Sequence, residues 1–427
     1  RGRWLDEDLN PAEPGTQVFM DGGAAEFRLL PPGEPGDVRL RVSAGSFVKE
    51  VRLALLPEMR PMLGVGIVEG VLDFTRRGSV PLGAMPAGAA FEAELTGLAD
   101  ERKDRRAGAR AAFFFKGAVK GDYLLTAAFD SDKTRDDRLF RDIRPDEFYP
   151  VYGDSSVKGF DAQSTQKLYV RIDKNRSFLL YGDFTTASST EVRNLSQNNR
   201  SLTGLKHVYE DRNVRATSYV SRTAQTQQVE EFRAVGTSGP YYLSATSGEF
   251  VDNSEQVEVV VRDRNQPDVV LQRTPVTRFV DYTVEPLTRR ILFTHAIASA
   301  DANLNPQSIR VTYEVDSGGP KFTVAGTDVQ VKVAERLQLG VVASTDQNPE
   351  NHRKLRALTA VARIGDNTTA AAELVRTDSD AKGKGEGTRL EVRHQDEKLA
   401  VVALAGKTSA GFDNPGASFS AGRTEAS

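Results

Sequence analysis

Apolar and polar residues alternate with period two along most of this chain. In Tyr123 to Asp130 one face carries Tyr123, Leu125, Ala127 and Phe129, and the other carries Leu124, Thr126, Ala128 and Asp130. From Leu168 to Asp173, Leu168, Val170 and Ile172 oppose Tyr169, Arg171 and Asp173. Further on, Leu390 and Val392 oppose Glu391 and Arg393, while Leu358, Ala360, Ala362 and Ile364 share one face. Successive side chains of a strand point to opposite sides, so this period predicts half-buried β-strands. A single antiparallel sheet on a soluble core gives the same alternation, and the period alone leaves the surroundings open.

The connections narrow the choice. Tight polar turns fall at Lys120-Gly121-Asp122, Asp173-Lys174-Asn175, Asp211-Arg212-Asn213, Gly365-Asp366-Asn367 and Gln395-Asp396-Glu397. If each lies on one rim, the longer polar connections 131–165, 185–201, 345–354, 378–387 and 407–417 all fall on the other. A transmembrane barrel sorts its loops this way, short inside and long outside. Soluble sandwiches have no reason to do so. The expected fold is therefore all-β, an antiparallel, partial transmembrane β-barrel. The N-terminal end fits the count only if Thr75 to Ala107 is one outer excursion. A spanning strand at Phe91 to Leu95 would break it and would decide the side on which the N-terminal domain lies.

Residues 1–60 read as an Ig-like β-domain and linker. Val38–Val42 and Val48–Leu55 alternate on either side of Gly45, Pro31 to Gly36 is a loop, and Pro57 to Pro61 leads onward. Residues 61–235 hold a first set of barrel strands. Residues 236–325 break the rhythm: strands at Val257–Val261, Thr277–Val284, Ile291–Thr294 and Ile309–Val315 are separated by Asn265-Gln266-Pro267, Glu285-Pro286 and Asn305-Pro306. This segment is expected to be a small inserted β-domain. The same parity places it on the inner, periplasmic side or folded into the lumen as a plug. Residues 326–427 hold a second, truncated set of strands.

Composition adds exclusions. Only 39% of the 427 residues are hydrophobic, and no run approaches the roughly 20 apolar residues of a spanning helix; a barrel strand needs only about 10. With 56 basic against 59 acidic residues the net charge is −3, which argues against an electrostatic nucleic-acid partner. The absence of cysteine excludes disulfides and thiolate metal sites. The chain opens at Arg1 without a signal peptide and stops at Ala426-Ser427 inside a patterned stretch, so it is expected to be a piece of a longer precursor.

No residue is nominated as catalytic, cofactor-binding or metal-binding. Asp130, Asp132, Asp136, Asp137 and Asp146-Glu147 could offer oxygen ligands to a divalent cation. They alternate with Lys133, Arg135, Arg138, Arg141 and Arg144, as a solvated mixed-charge loop does. Asp301-Ala302-Asn303-Leu304-Asn305 opens like a calcium loop, but Pro306 replaces the required glycine and Thr312 the required glutamate, so an Asx-rich turn is expected. His207, His295, His352 and His394 have no metal-pair spacing. Ser155-Ser156 is not a nucleophile elbow, and carboxylates are too abundant to nominate a glycosidase pair. Tyr152-Gly153-Asp154 and Tyr181-Gly182-Asp183 recur amid Phe148, Tyr149, Phe160, Phe178 and Phe184, as interfacial girdle residues of a barrel or as ordinary sheet residues.

The same residues carry a resemblance. Tyr123 to Lys133, Phe148 to Ser156, Leu168 to Asp173 and Leu179 to Phe184 resemble the barrel region of large Gram-negative outer-membrane proteins with Ig-like or conserved-repeat domains, often labelled OmpA-like or TonB-receptor-like. Ser254 to Arg264, Asp281 to Val284 and Asn305 to Glu314 are similar to the β-domain such proteins hold within the barrel, and Gly411 to Gly416 resembles theirs too. The resemblance covers roughly residues 60 to 427 and implies location and architecture, with no catalytic residue to carry over. Neither a TonB box nor a terminal aromatic signature is visible. The expectation is a non-enzymatic protein of the cell outer membrane, in contact with lipid and other envelope proteins, without a cofactor. It would form a pore or export scaffold, or anchor surface domains, through an interior lined by Arg171, Asp173, Glu391 and Arg393. The alternatives are a soluble surface adhesin of β-sandwiches and an envelope carbohydrate-active enzyme.

Overall fold

A computed structural model describes residues 62–72, 107–119, 122–131, 148–151, 159–163, 167–186 and 193–426, apart from 245–247, 252–253, 267–269, 286–287, 366, 397–398, 418 and 420, with shorter N-terminal stretches at 3–4, 16–18, 29–30, 36–44 and 47–55. Among these residues no helix forms, and the all-β, antiparallel expectation holds.

Fourteen strands make one sheet in which sheet neighbours are also chain neighbours. They are β1 (Leu63–Leu72), β2 (Ala107–Val119), β3 (Tyr123–Asp130), β4 (Leu168–Lys174), β5 (Ser177–Thr185), β6 (Ser201–Glu210) and β7 (Val214–Thr223). After a long excursion come β8 (Phe322–Ala334), β9 (Leu337–Asp346), β10 (Arg353–Ile364), β11 (Thr368–Ser379), β12 (Gly383–Gln395), β13 (Ala400–Thr408) and β14 (Thr424–Ala426). The five tight turns join β2 to β3, β4 to β5, β6 to β7, β10 to β11 and β12 to β13, and Glu335-Arg336, missed by sequence reading, joins β8 to β9. In such a meander alternate connections return to the same end, so all these turns share one end of the sheet.

The excursion between β7 and β8 leaves from the opposite end, with the long connections. This corrects the parity argument that sent it to the tight-turn side. Gln225–Arg233 is not a further strand of the large sheet: after Ala224 it pairs antiparallel with Gln307–Asp316 in a separate sheet. That sheet therefore starts at Gln225 rather than near 236, and the large sheet resumes at Phe322. The expected loop 378–387 shrinks for a related reason: β11 and β12 stay paired to Ser379 and Gly383.

By contacts the chain divides into two compact units. One comprises Glu58–Lys174 and Leu180–Asp183, the other Arg1–Pro57, Asn175–Leu179 and Phe184–Ser427. In the first, Leu124, Thr126, Ala128 and Asp130 are buried on one face of β3. Phe113 and Phe129 stack with centroids 5.7 Å apart. Within the long 131–165 connection, Phe148–Val151 pairs with Gly159–Gln163. A Cβ on Gly182 would lie 2.6 Å from the Tyr169 ring, and φ there is +151°, so glycine is what lets this ring lie flat against the neighbouring strand.

The second unit contains most of the sheet and the excursion. Four strands, Gln225–Arg233, Gln307–Asp316, Gln256–Arg262 and Val270–Val276, with Glu249–Phe250 on the edge, make one sheet of the excursion; Tyr241–Tyr242, Arg290–Phe293 and Tyr282–Glu285 make a second. Ile291, Ile309, Val311, Tyr313, Tyr282 and Phe293 form a closed apolar core between them, as in an ordinary soluble sandwich. Of the proposed N-terminal domain, the described residues show a hairpin, Gly36–Ala44 against Phe47–Leu55.

The large sheet is built the other way round. Leu358, Leu374, Leu390 and Val341 are 57, 56, 52 and 50% exposed, whereas Glu373, Lys206, Arg389 and Glu391 are 2, 6, 6 and 7% exposed on the opposite face.

Candidate functional site

The buried polar face of β6–β13 is covered by parts of two long connections. Residues 193–200, between β5 and β6, lie across it and are held by its carboxylates. Glu373 of β11 accepts the backbone N–H groups of Asn194 and Leu195 at 2.9 and 2.8 Å and the Ser196 hydroxyl at 2.7 Å. Arg193 pairs with Asp328 of β8. A carboxylate that accepts three hydrogen bonds is satisfied without water, which is how Glu373 tolerates near-complete burial.

Residues 409–423, between β13 and β14, lie alongside. Phe412 and Leu195, both almost fully buried, pack with Val375, Leu355 and Leu404. Gly387 of β12 makes room for them, since a Cβ there would meet Phe412 at 3.0 Å and Leu195 at 3.3 Å. Asn414 donates to the carbonyls of Leu195 and Gln197 at 2.7 and 2.9 Å and ties the two segments together. Asp413 meets Lys382 at 3.3 Å and Asn351 at 3.4 Å. Burial works against its ionisation, but hydrogen bonds from Ser379 and Asn351 and the charge of Lys382 outweigh it and hold its carboxyl below the ordinary range.

The excursion docks on the same layer. Arg200 places Nε and Nη2 on the two oxygens of Glu314 at 2.7 and 3.0 Å, and its Nη1 reaches Asp346 of β9 at 2.6 Å. Glu314 is 0% exposed and Arg200 3%. Burial alone would depress the guanidinium, but Glu314 and Asp346 outweigh it and Arg200 sits above its ordinary value, firmly charged. Arg310 donates from Nη2 to the carbonyls of Pro415, Gly416 and Ala417 at 3.1 to 3.4 Å. Arg273 donates to Gln197 at 2.7 Å, and Ser201 donates to the Ser254 carbonyl at 2.6 Å.

Of the expected lining residues, Glu391 and Arg393 lie on this face of β12, and Arg171 and Asp173 lie together on one face of β4 in the other unit. Arg171 forks onto Asp173 with its closest contact at 2.8 Å, and Glu391 takes Arg393 at 3.2 Å and also Arg389. The Asp301 carboxylate is occupied by the N–H groups of Asn303 and Asn305 at 2.9 and 2.8 Å; the Asx-rich turn is what forms. His207 and His394 lie on strands and His352 in a long-end connection against Asp380 at 2.6 Å. Among the described residues no three His, Asp or Glu side chains converge as metal ligands. Asp132, Asp136, Asp137, Asp146-Glu147, Tyr152-Gly153-Asp154 and Phe91–Leu95 lie outside the described residues. Sequence reading missed Arg193, Arg200, Glu314 and Glu373. For Glu373 a signal existed, a lone carboxylate on the face of β11 shared with Ala371 and Val375; for Arg200, at the end of a polar loop, there was none.

No protein-family model matches this chain, and no curated protein matches it. Among solved structures it is similar to OmpT, an outer membrane protein of Vibrio cholerae in its trimer form, at 12% identity over 76% of this chain and 90% of that one, with a TM-score of 0.26. It is also similar to a porin at 11% identity over 71% of this chain and 87% of that one, with a TM-score of 0.25.

Proposed function

We propose that the large sheet is the wall of an outer-membrane β-barrel and that the protein is non-enzymatic, a pore or scaffold closed at its long-loop end. One observation supports this above the rest, the inversion of polarity across the sheet. On β9–β12 the outward positions Leu339, Val341, Leu358, Ile364, Leu374 and Leu390 are exposed and apolar, while the opposite positions carry buried charges with partners. Water penalises such a surface and lipid rewards it. The outward apolar run from Leu358 to Ile364 covers about 20 Å of strand, close to the apolar band of such barrels. Beyond it, toward the long connections, the outward positions become Arg356, Lys354, Arg376, Asp378, Glu386 and Lys384, so the strands continue into water there. Short turns face the periplasm in this class, which assigns the 225–316 domain to the outer side.

On this reading residues 193–200 and 409–419 fold into the lumen and the 225–316 domain is latched over them. A barrel remains with membranes through carbonate washing and changes gel mobility on boiling; release by carbonate would reject the assignment and favour the soluble adhesin. In planar bilayers the intact protein should conduct little, and removal of Gln225–Asp316 should raise conductance. Unchanged conductance would leave an anchor for surface domains as the better account.

A further inference from the structure

On the outward face of β10 and β11, the first row beyond the apolar positions, toward the long connections, sets Arg356 directly opposite Arg376. Ala343 of β9 flanks Arg356 on its other side, and Glu386 of β12 flanks Arg376. Directly opposed side chains lie about 5 Å apart at Cβ, and like charges so placed work against strand pairing. Lys354, Asp378 and Lys384 make the next row outward. Together the two rows carry four cations, Lys354, Arg356, Arg376 and Lys384, against two carboxylates, in a chain whose net charge is −3.

The carboxylates do not cancel this excess. Glu386 meets Arg376 at 3.2 Å, but the two side chains are 69 and 81% exposed, and an ion pair so open to solvent contributes little. Asp378 stands between Lys354 and Lys384, and Asp380 is engaged by His352 at 2.6 Å. Arg356 is exposed and makes no ion pair among the described residues. Both guanidinium groups are therefore accessible to an anion from outside the chain.

Position decides which anion. Leu358 and Leu374 are themselves directly opposite one another, two residues along the strands from Arg356 and Arg376, or about 7 Å away. One molecule with a phosphate head and an apolar tail can engage both rows. Its head meets two guanidinium forks, which match phosphate oxygens in pairs, and its tail lies along the exposed leucines. Free phosphate would use the first row alone, and a zwitterionic headgroup would bring a further cation into a cationic patch. We infer that Arg356 and Arg376 bind the phosphate of an anionic lipid at the outer boundary of the apolar surface. This rests on the barrel assignment and names the lipid class that one side of the wall selects.

The test is titration of the full chain in neutral detergent with phosphatidic acid or phosphatidylcholine, with retained lipid read by native mass spectrometry. Saturable retention of phosphatidic acid is expected, at least tenfold tighter than that of phosphatidylcholine. Combining Arg356→Gln with Arg376→Gln should abolish the preference. Combining Arg356→Lys with Arg376→Lys, which keeps the charge but loses the forks, should weaken it at least threefold. Arg264→Gln, exposed on the 225–316 domain, should leave it unchanged. Boiling-dependent gel mobility verifies that each variant is folded. A mobility shift without lipid preference in the intact protein, or an undiminished preference in the folded double glutamine variant, overturns this inference and leaves the barrel assignment standing. Absence of the shift in the intact protein overturns the barrel assignment and this inference with it. Glycerol 3-phosphate, added as a competitor, carries the headgroup without the tail. Displacement of the lipid at equal concentration would make this a soluble-phosphate site and overturn the inference, and resistance to displacement supports it.

Discussion

The fourteen-stranded sheet and the 225–316 domain use the same period-two alternation and bury opposite things. In the domain, Ile291, Ile309 and Val311 are fully buried, and polar residues of its five-stranded sheet face the loop layer. In the large sheet Val341, Leu358, Leu374 and Leu390 are exposed on one face, and Glu373, Arg389 and Glu391 are buried on the other. Alternation records that a strand separates two environments; which of them is apolar depends on what lies outside. Under the proposed barrel assignment this is one chain built for two solvents, water around the domain and lipid around the sheet.

The sharpest way to break this comparison is at the latch that joins the regions. Arg200→Ala strands Glu314, which has no exposure, and leaves Asp346 with only Arg353 at 3.7 Å. Removing one partner of such a buried pair costs about 3 to 5 kcal/mol. Because Arg200 bridges the domain and β9, the loss should appear as release of the domain, with accelerated proteolysis inside 225–316 while the sheet stays resistant. Pairing Arg200→Met with Glu314→Leu should restore most of the protection; if Arg200→Ala leaves proteolysis unchanged, the latch does not hold the domain.

Next in size is a charge placed on each region's exposed apolar positions. Leu374 and Tyr242 are almost equally exposed, at 56 and 58%, so in water both substitutions to arginine would be nearly neutral, within about 0.5 kcal/mol. If β11 faces lipid, Leu374→Arg should cost about 2 to 4 kcal/mol in a bilayer and Tyr242→Arg nothing measurable, read by denaturant unfolding in vesicles. Equal effects would erase the difference between the regions.

Much of this was legible in the sequence. The face assignments on β3, β4, β10 and β12 follow from alternation alone, because a strand has no other way to distribute its side chains. The tight turns were visible through Gly, Asn and Asp, whose backbone preferences act locally; Asn175 indeed takes a positive φ of 53°. Glu335-Arg336 carried no such residue and was missed. The end from which the domain leaves was misread because placing the boundary near 236 counts Gln225–Arg233 with the barrel strands and shifts the parity by one, and only its long-range pairing with Gln307–Asp316 reveals otherwise. The site was hardest to foresee. Glu373 meets Leu195, Arg200 meets Glu314 and Asn414 meets Leu195, each across more than 100 residues, and no local preference encodes a partner so distant.

The smallest effect expected concerns pH, and it distinguishes the loop layer from both regions it touches. Asp413 is held below the ordinary carboxylate range against burial by Ser379, Asn351 and Lys382. Asp380 is held low by the ring and then the backbone N–H of His352. A carboxylate whose folded value lies below its unfolded value binds fewer protons in the folded state. It therefore stabilises the fold fully above its unfolded value, near about pH 4, and loses that contribution as pH falls through the folded value. The ties among 347–352, 380–382 and 409–423 should accordingly loosen only below about pH 4, with no matching change near neutrality from these groups. Pepsin, active in that range, should cut within 409–423 faster at pH 3 than at pH 5, and faster than its rate on an unstructured peptide changes over the same interval. In Asp413→Asn, whose side chain cannot ionise, the loop should already be more accessible at pH 5 and the step between the two pH values should shrink. A step of the same size in Asp413→Asn would remove Asp413 from the mechanism and leave the Asp380–His352 pair to account for it.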